Sequence, residues 1–164
     1  MPPIRSDQPL VPSVLDRLLD DEPSVAREAP KSRTQVLREL KQSVRRDLEN
    51  LLNSRRRSKP LPAHLTELDV SLANYGIPDV TGADLGSARK REGFRRQLER
   101  TIRNFEPRFQ TVVVSILDPQ GPLDRALRFR IEGLLRAEPA PEPVAFDSNV
   151  EPTTGIVEVR GAAL

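Results

Sequence analysis

The chain has no cysteine and no tryptophan, a single histidine, and aromatic residues at only 4% of its 164 positions. Without thiols there is no disulfide framework and no thiolate metal site, which fits a reducing compartment. A lone His64 argues against a histidine metal site or a Ser-His-Asp triad. No apolar run reaches membrane-spanning length, so direct membrane insertion is not expected. Met1-Pro2-Pro3-Ile4-Arg5-Ser6-Asp7 lacks the apolar centre of a secretory signal, and the expectation is a soluble cytoplasmic protein. With so few aromatics the core must be built from Leu, Val and Ile, and the length suits one domain.

What is present is unevenly distributed. The formal charge is only +2, yet residues 31–57 hold nine Lys/Arg against three Asp/Glu, and residues 89–108 hold eight against three. From Ala137 to Val159 there are five acidic residues and no basic one. A basic middle followed by an acidic tail suits an assembly partner or a nucleic acid.

Six of the sixteen prolines fall in the first 33 residues, which read as an extended arm. Within it, residues 13–21 predict a short helix: Ser13 is a plausible cap, and Val14, Leu15, Leu18 and Leu19 share one apolar stripe. So short a helix folds only by docking, on its own domain or on a partner.

Residues 34–160 read as a single α+β domain. Val36, Leu37, Leu40, Val44, Leu48, Leu51 and Leu52 keep a helical period from Thr34 to Arg57, with Thr34 as cap and Arg55-Arg56-Arg57 complementing the C-terminal dipole. A short helix is expected over Leu65–Asn74, stopped by Gly76 and Pro78. A third runs from Ser87 to Phe105 on Phe94, Leu98, Ile102 and Phe105. The last third is strand-like: Gln110–Leu117, a turn at Asp118–Pro122, and an alternating run through Leu127, Phe129, Ile131 and Gly133. A short Val144–Asp147 segment and a final Gly155–Arg160 strand follow. The expected architecture is N-terminal helices packed on a small antiparallel meander.

Glu106-Pro107-Arg108 stands where helix hands over to strand. Pro107 disfavours helical geometry at Glu106 and has no N–H to continue the ladder, so an acid and a base are fixed two residues apart. A hydrolase would have to work from carboxylates. Glu106 is the only acid in a constrained setting, no second carboxylate is marked for a glycosidase pair, and Arg108 would keep Glu106 ionised. A nucleic-acid reading rests on the helices over 34–57 and 87–105, through Arg38, Lys41, Arg45 and Arg46 and through Arg89, Lys90, Arg91, Arg95, Arg96 and Arg100. No helix-turn-helix spacing, aromatic RNA-binding motif or zinc finger accompanies them.

Four blocks occur in order: Ser13–Leu19, Ser43–Asn53, Ser71–Asp79 (with Tyr75, Gly76, Ile77, Pro78 and Asp79 as a turn motif) and Ile102–Arg108. Together they resemble the TssE family, baseplate subunits of bacterial type VI secretion systems, related to a small wedge protein of contractile phage tails. The resemblance spans roughly residues 13 to 135. It implies a non-catalytic structural subunit without cofactor or metal, with wedge partners TssF, TssG and TssK, and sheath partners TssB and TssC. It also implies a location in a cytoplasmic baseplate docked at the inner membrane complex. The Glu-Pro-Arg signature, carried here by Glu106, Pro107 and Arg108, is the implied sheath and baseplate interaction motif, and Val14, Leu15, Leu18 and Leu19 the wedge-docking stripe. A meander has edge strands whose free backbone invites strand addition, and that liability would be the function.

Overall fold

The computed structural model describes residues 18, 32–58, 62, 64–79, 87–117, 127–137, 140–151 and 153–162. Of the predicted arm helix only Leu18 falls among them: it is helical and 74% exposed. Val14, Leu15 and Leu19 lie outside the described residues.

Helix α1 spans Arg33–Asn53 and buries Val36, Leu40, Val44, Leu48, Leu51 and Leu52 of the predicted stripe, with Leu37 half-buried. Its cap is Ser32 rather than Thr34, with the Ser32 hydroxyl accepting from Gln35 N at 3.3 Å. The helix also stops earlier than periodicity suggests. Ser54 turns extended, and the Arg55-Arg56-Arg57 run lies beyond the last turn. Tertiary pairing overrides the helical pattern there: Ile77 N donates to Ser54 O at 2.9 Å and Arg56 N to Ile77 O at 2.8 Å, a parallel bridge between Arg55 and Ile77.

The expected helix over 65–74 is two 3₁₀ turns, Thr66–Val70 and Leu72–Asn74. Ser71 divides them: its hydroxyl donates to Leu68 O at 2.9 Å and accepts from Ala73 N at 3.3 Å, ending one turn and starting the next. Neither turn buries a residue, and Leu72 is 85% exposed, so the apolar spacing there marked no core face. Helix α2 spans Ala88–Phe105, capped by Ser87, and buries Phe94, Leu98 and Ile102 with Phe105 packed against the core.

Four antiparallel strands follow in sequence order: β1 (Phe109–Ile116), β2 (Leu127–Leu135), β3 (Glu142–Val150) and β4 (Val157–Ala162). One face carries Val112, Val114, Phe129, Ile131, Val144, Phe146, Val157 and Val159 into the core shared with the helices. The other presents Val113, Arg130, Glu132, Asp147, Glu158 and Arg160, as the period of two requires. Helix α1 lies along β4 and α2 along β1. The third strand is much longer than the predicted 144–147 segment. Pro143 is tolerated inside it because its backbone faces the β4 side, beyond Ala162, the last β4 residue paired (with Ala145); no ladder bond is lost.

Candidate functional site

At the α2–β1 corner the chain dictates its own geometry. Glu106 leaves the helix at φ −120°, ψ 81°, still donating its N–H to Ile102 O at 2.9 Å, and Pro107 stands exposed at the bend. Glu106 itself is buried, 4% exposed. Arg108 Nε donates to Glu106 Oε1 at 2.7 Å and Nη2 to Oε2 at 2.5 Å, a bidentate pair. The same guanidinium reaches helix α1, donating to Ser43 Oγ at 2.9 Å and Asp47 Oδ2 at 2.5 Å. Burial alone would lower the Arg108 pKa, but Glu106 and Asp47 outweigh it and hold the group above its ordinary value. The signature is therefore an internal lock: acid and base turn inward and tie the corner to α1, while only the proline faces solvent.

The Tyr75–Asp79 segment is a clasp on the same region. Gly76 takes φ +96°, and a Cβ there would lie 2.3 Å from Ser54 O, so glycine is required by both conformation and close approach. Its turn drives Ile77 fully into the core and sets up the bridge to Arg55. Tyr75 packs edge-on against Phe105, ring centroids 5.3 Å apart. Burial first, then the charges of Asp47 and Glu106, push its hydroxyl pKa up. Pro78 is half-buried, and Asp79 stays largely exposed, 3.7 Å from Arg55.

The two sheet edges are treated differently. The outward backbone of β4 belongs to Val157, Val159 and Gly161, and α1 meets the first two. Asn53 Nδ2 donates to Val157 O at 2.8 Å, and Val157 N donates back to Asn53 Oδ1 at 2.9 Å. Arg45 Nη1 donates to Val159 O at 3.1 Å, and Val159 N to Glu49 Oε1 at 3.4 Å. Arg45, Glu49 and Asn53 follow one another at every fourth position of α1. Four helical residues rise about 6 Å and two strand residues about 7 Å, so the helix keeps step with the strand and stands in for a fifth one.

On β1 the outward groups belong to Val112, Val114 and Ile116, since Leu117 N donates inward to Arg128 O and the ladder alternates from there. Among the described residues their one bond is Arg95 Nη1 to Val114 O at 3.3 Å.

Glu106 and Arg108 are thus brought together, and the 75–79 turn is brought beside them. The four leucine and valine positions of the arm join neither. Asp47, Ser43, Glu49 and Asn53 were not singled out as functional from sequence, and Arg45 only as a nucleic-acid contact; their signal is a polar line at helical spacing beside the leucine stripe. The basic helices are also less free than their composition suggests. Arg45 pairs with Glu49, Arg46 with Asp47, Arg95 with Glu92 and Glu99, Arg96 with Glu92, and Arg103 with Glu99. Among the described residues no His/Cys/Asp/Glu group could hold a metal ion, and no helix is long and apolar enough to cross a membrane.

A domain that commits its constrained charges to holding a corner and to closing one edge of a sheet is built as a scaffold. Residues 38–140 match the family model described as baseplate wedge protein gp25, and the chain belongs to that family of structural baseplate proteins, which includes TssE. Comparison with curated proteins and with solved structures returned no match.

Proposed function

We propose that this chain is a non-catalytic subunit of a type VI secretion baseplate that joins the wedge to the contractile sheath and starts the sheath by accepting a strand along β1. Membership of a baseplate family supports contacts with other baseplate components. Its wedge partners are TssF, TssG and TssK, and the strand donor comes from the sheath proteins TssB and TssC. It works in a cytoplasmic baseplate docked at the inner membrane complex. The residues before the Ser32 cap act as an arm outside the domain, which runs to Ala162 in β4. The helix at 13–21 is its wedge-docking element, a role that the exposure of Leu18 supports. In this reading Glu106-Pro107-Arg108 serves assembly indirectly, by holding the start of β1 at a fixed angle to α1.

The observation that carries the proposal is the asymmetry of the edges: α1 occupies the backbone of β4 at Val157 and Val159, while that of β1 is nearly bare. Main-chain bonds give strand addition its affinity, and alternate side chains its register. The test is Ile116→Pro. The N–H it removes faces outward, so the β1–β2 ladder survives. The variant should stay folded, losing about 1–2 kcal/mol because Ile116 is partly buried against the core, and yet fail to form fluorescent TssB/TssC sheaths in cells. Sheaths at parental frequency would remove β1 as the acceptor.

A further inference from the structure

On the side of α2 away from β1 a groove of about 370 Å³ separates that helix from the segment carrying Arg56 and Asn74. Three guanidiniums line it, from Arg56, Arg96 and Arg100, and no acidic residue does. Arg56 and Arg100 make no ion pair among the described residues. Arg96 pairs with Glu92 at 2.8 Å, but Glu92 is also held by Arg95 at 2.8 Å and can release Arg96 without losing its own partner. The groove lining includes Gly93, inside α2, where an added Cβ would meet nothing within 4 Å among the described residues. Glycine weakens a helix interior, and no atom of the described residues requires one at that position. A backbone brought in from outside would.

We infer that this groove binds an extended acidic segment of another protein of the same assembly, with carboxylates on Arg56, Arg96 and Arg100 and main chain passing over Gly93. The partner's class follows from the lining. Between Gly93 and Asn104 the helix rises about 16 Å, a length for several peptide residues rather than one phosphate. The side-chain amides of Asn74, Gln97 and Asn104 offer both donors and acceptors, which match a peptide backbone; a phosphodiester backbone offers only acceptors. Phe105, the aromatic residue of the lining, is already packed against Tyr75 and is no open platform for base stacking.

The test is fluorescence anisotropy on the full chain with a fluorescein-labelled dodecapeptide alternating Glu and Ser. An oligothymidylate of equal charge is the competitor. The peptide should bind, more weakly as salt rises. Arg96→Gln with Arg100→Gln should weaken binding by about tenfold or more. Gly93→Leu should abolish binding without lowering the melting temperature, because leucine is the better helix former and its Cβ meets no atom of the described residues within 4 Å. Ile116→Pro should bind as the parent does, which separates this site from the sheet edge. No binding by the parent, equal binding by the groove variants, or preference for the oligothymidylate would each overturn the inference.

Discussion

The two borders of the sheet are made of similar strands and yet differ in what faces them. Along β4, three polar side chains from α1 satisfy both donors and both acceptors of Val157 and Val159. Along β1, α2 contributes a single guanidinium contact at Val114. Both helices are amphipathic and both lie beside an edge, so the difference is not one of architecture. It lies in which side chains the helix turns toward the strand: a polar line at every fourth position in α1, and in α2 an arginine already held by Glu92 and Glu99. An exposed edge is a hazard that proteins usually cover. Here one is covered and the other left, and the one left begins at the locked corner.

The lock couples the two sides, because Arg108 at the start of β1 holds Ser43 and Asp47 on the helix that seals β4. Arg108→Ala should have the largest effect, about 3–5 kcal/mol of stability by urea denaturation, because it strands the buried Glu106 carboxylate. A loss within the error of the wild-type curve would mean that the lock does not hold the corner. Asn53→Leu comes next. It leaves the Val157 N–H and carbonyl without partners, costs about 1–3 kcal/mol, and opens the second border. Light scattering should then show concentration-dependent association absent from the parent; a variant that stays monomeric would show that the seal does not protect β4. Arg95→Gln removes the one cover on β1 and should cost less than about 1 kcal/mol, in keeping with a half-exposed ion pair. It should leave sheath formation intact or faster; loss of sheaths would turn Arg95 from a cover into a contact.

The smallest effect is electrostatic. Hydrogen bonds from Arg95 and then Arg96 lower the Glu92 pKa to about 2. A depressed carboxylate stabilises the fold above its ordinary value of 4.5 and loses that contribution as pH falls toward 2. Thermal melts of Glu92→Gln should therefore fall less steeply than wild type below pH 4.5. Parallel profiles would show that the pair contributes nothing measurable.

Much of this could be read from residues in order. The stripes Val36–Leu52 and Phe94–Ile102 gave two helices, the alternation through Phe129 and Ile131 gave β2, and Pro107 gave the corner. Gly76 was legible as a stop because few residues tolerate φ +96°. Three misreadings rested on local pattern: the helix over Arg55–Arg57, the helix over 65–74 and the short third strand. Two were decided by residues distant in sequence, Ile77 taking the backbone of residues 54–56 and β2 extending β3 through Pro143 to Glu142. The other was decided nearby, where Ser71 broke the helix with its own hydroxyl. The family match ends at residue 140, so β3 and β4, which complete the sheet, lie beyond it.

Sequence alone settled the two long helices, the first two strands and the acid–proline–base corner, because periodicity, capping and the lack of an N–H at proline act within a few residues. It also placed the chain among baseplate wedge proteins. Only the tertiary structure decided that the acid and base face inward, that a helix can finish one side of a sheet, and that the opposite side stays open. Those outcomes depend on which polar atoms meet across 61 positions of chain, from Arg108 to Asp47, and across 104, from Val157 to Asn53, and no local pattern encodes such a meeting.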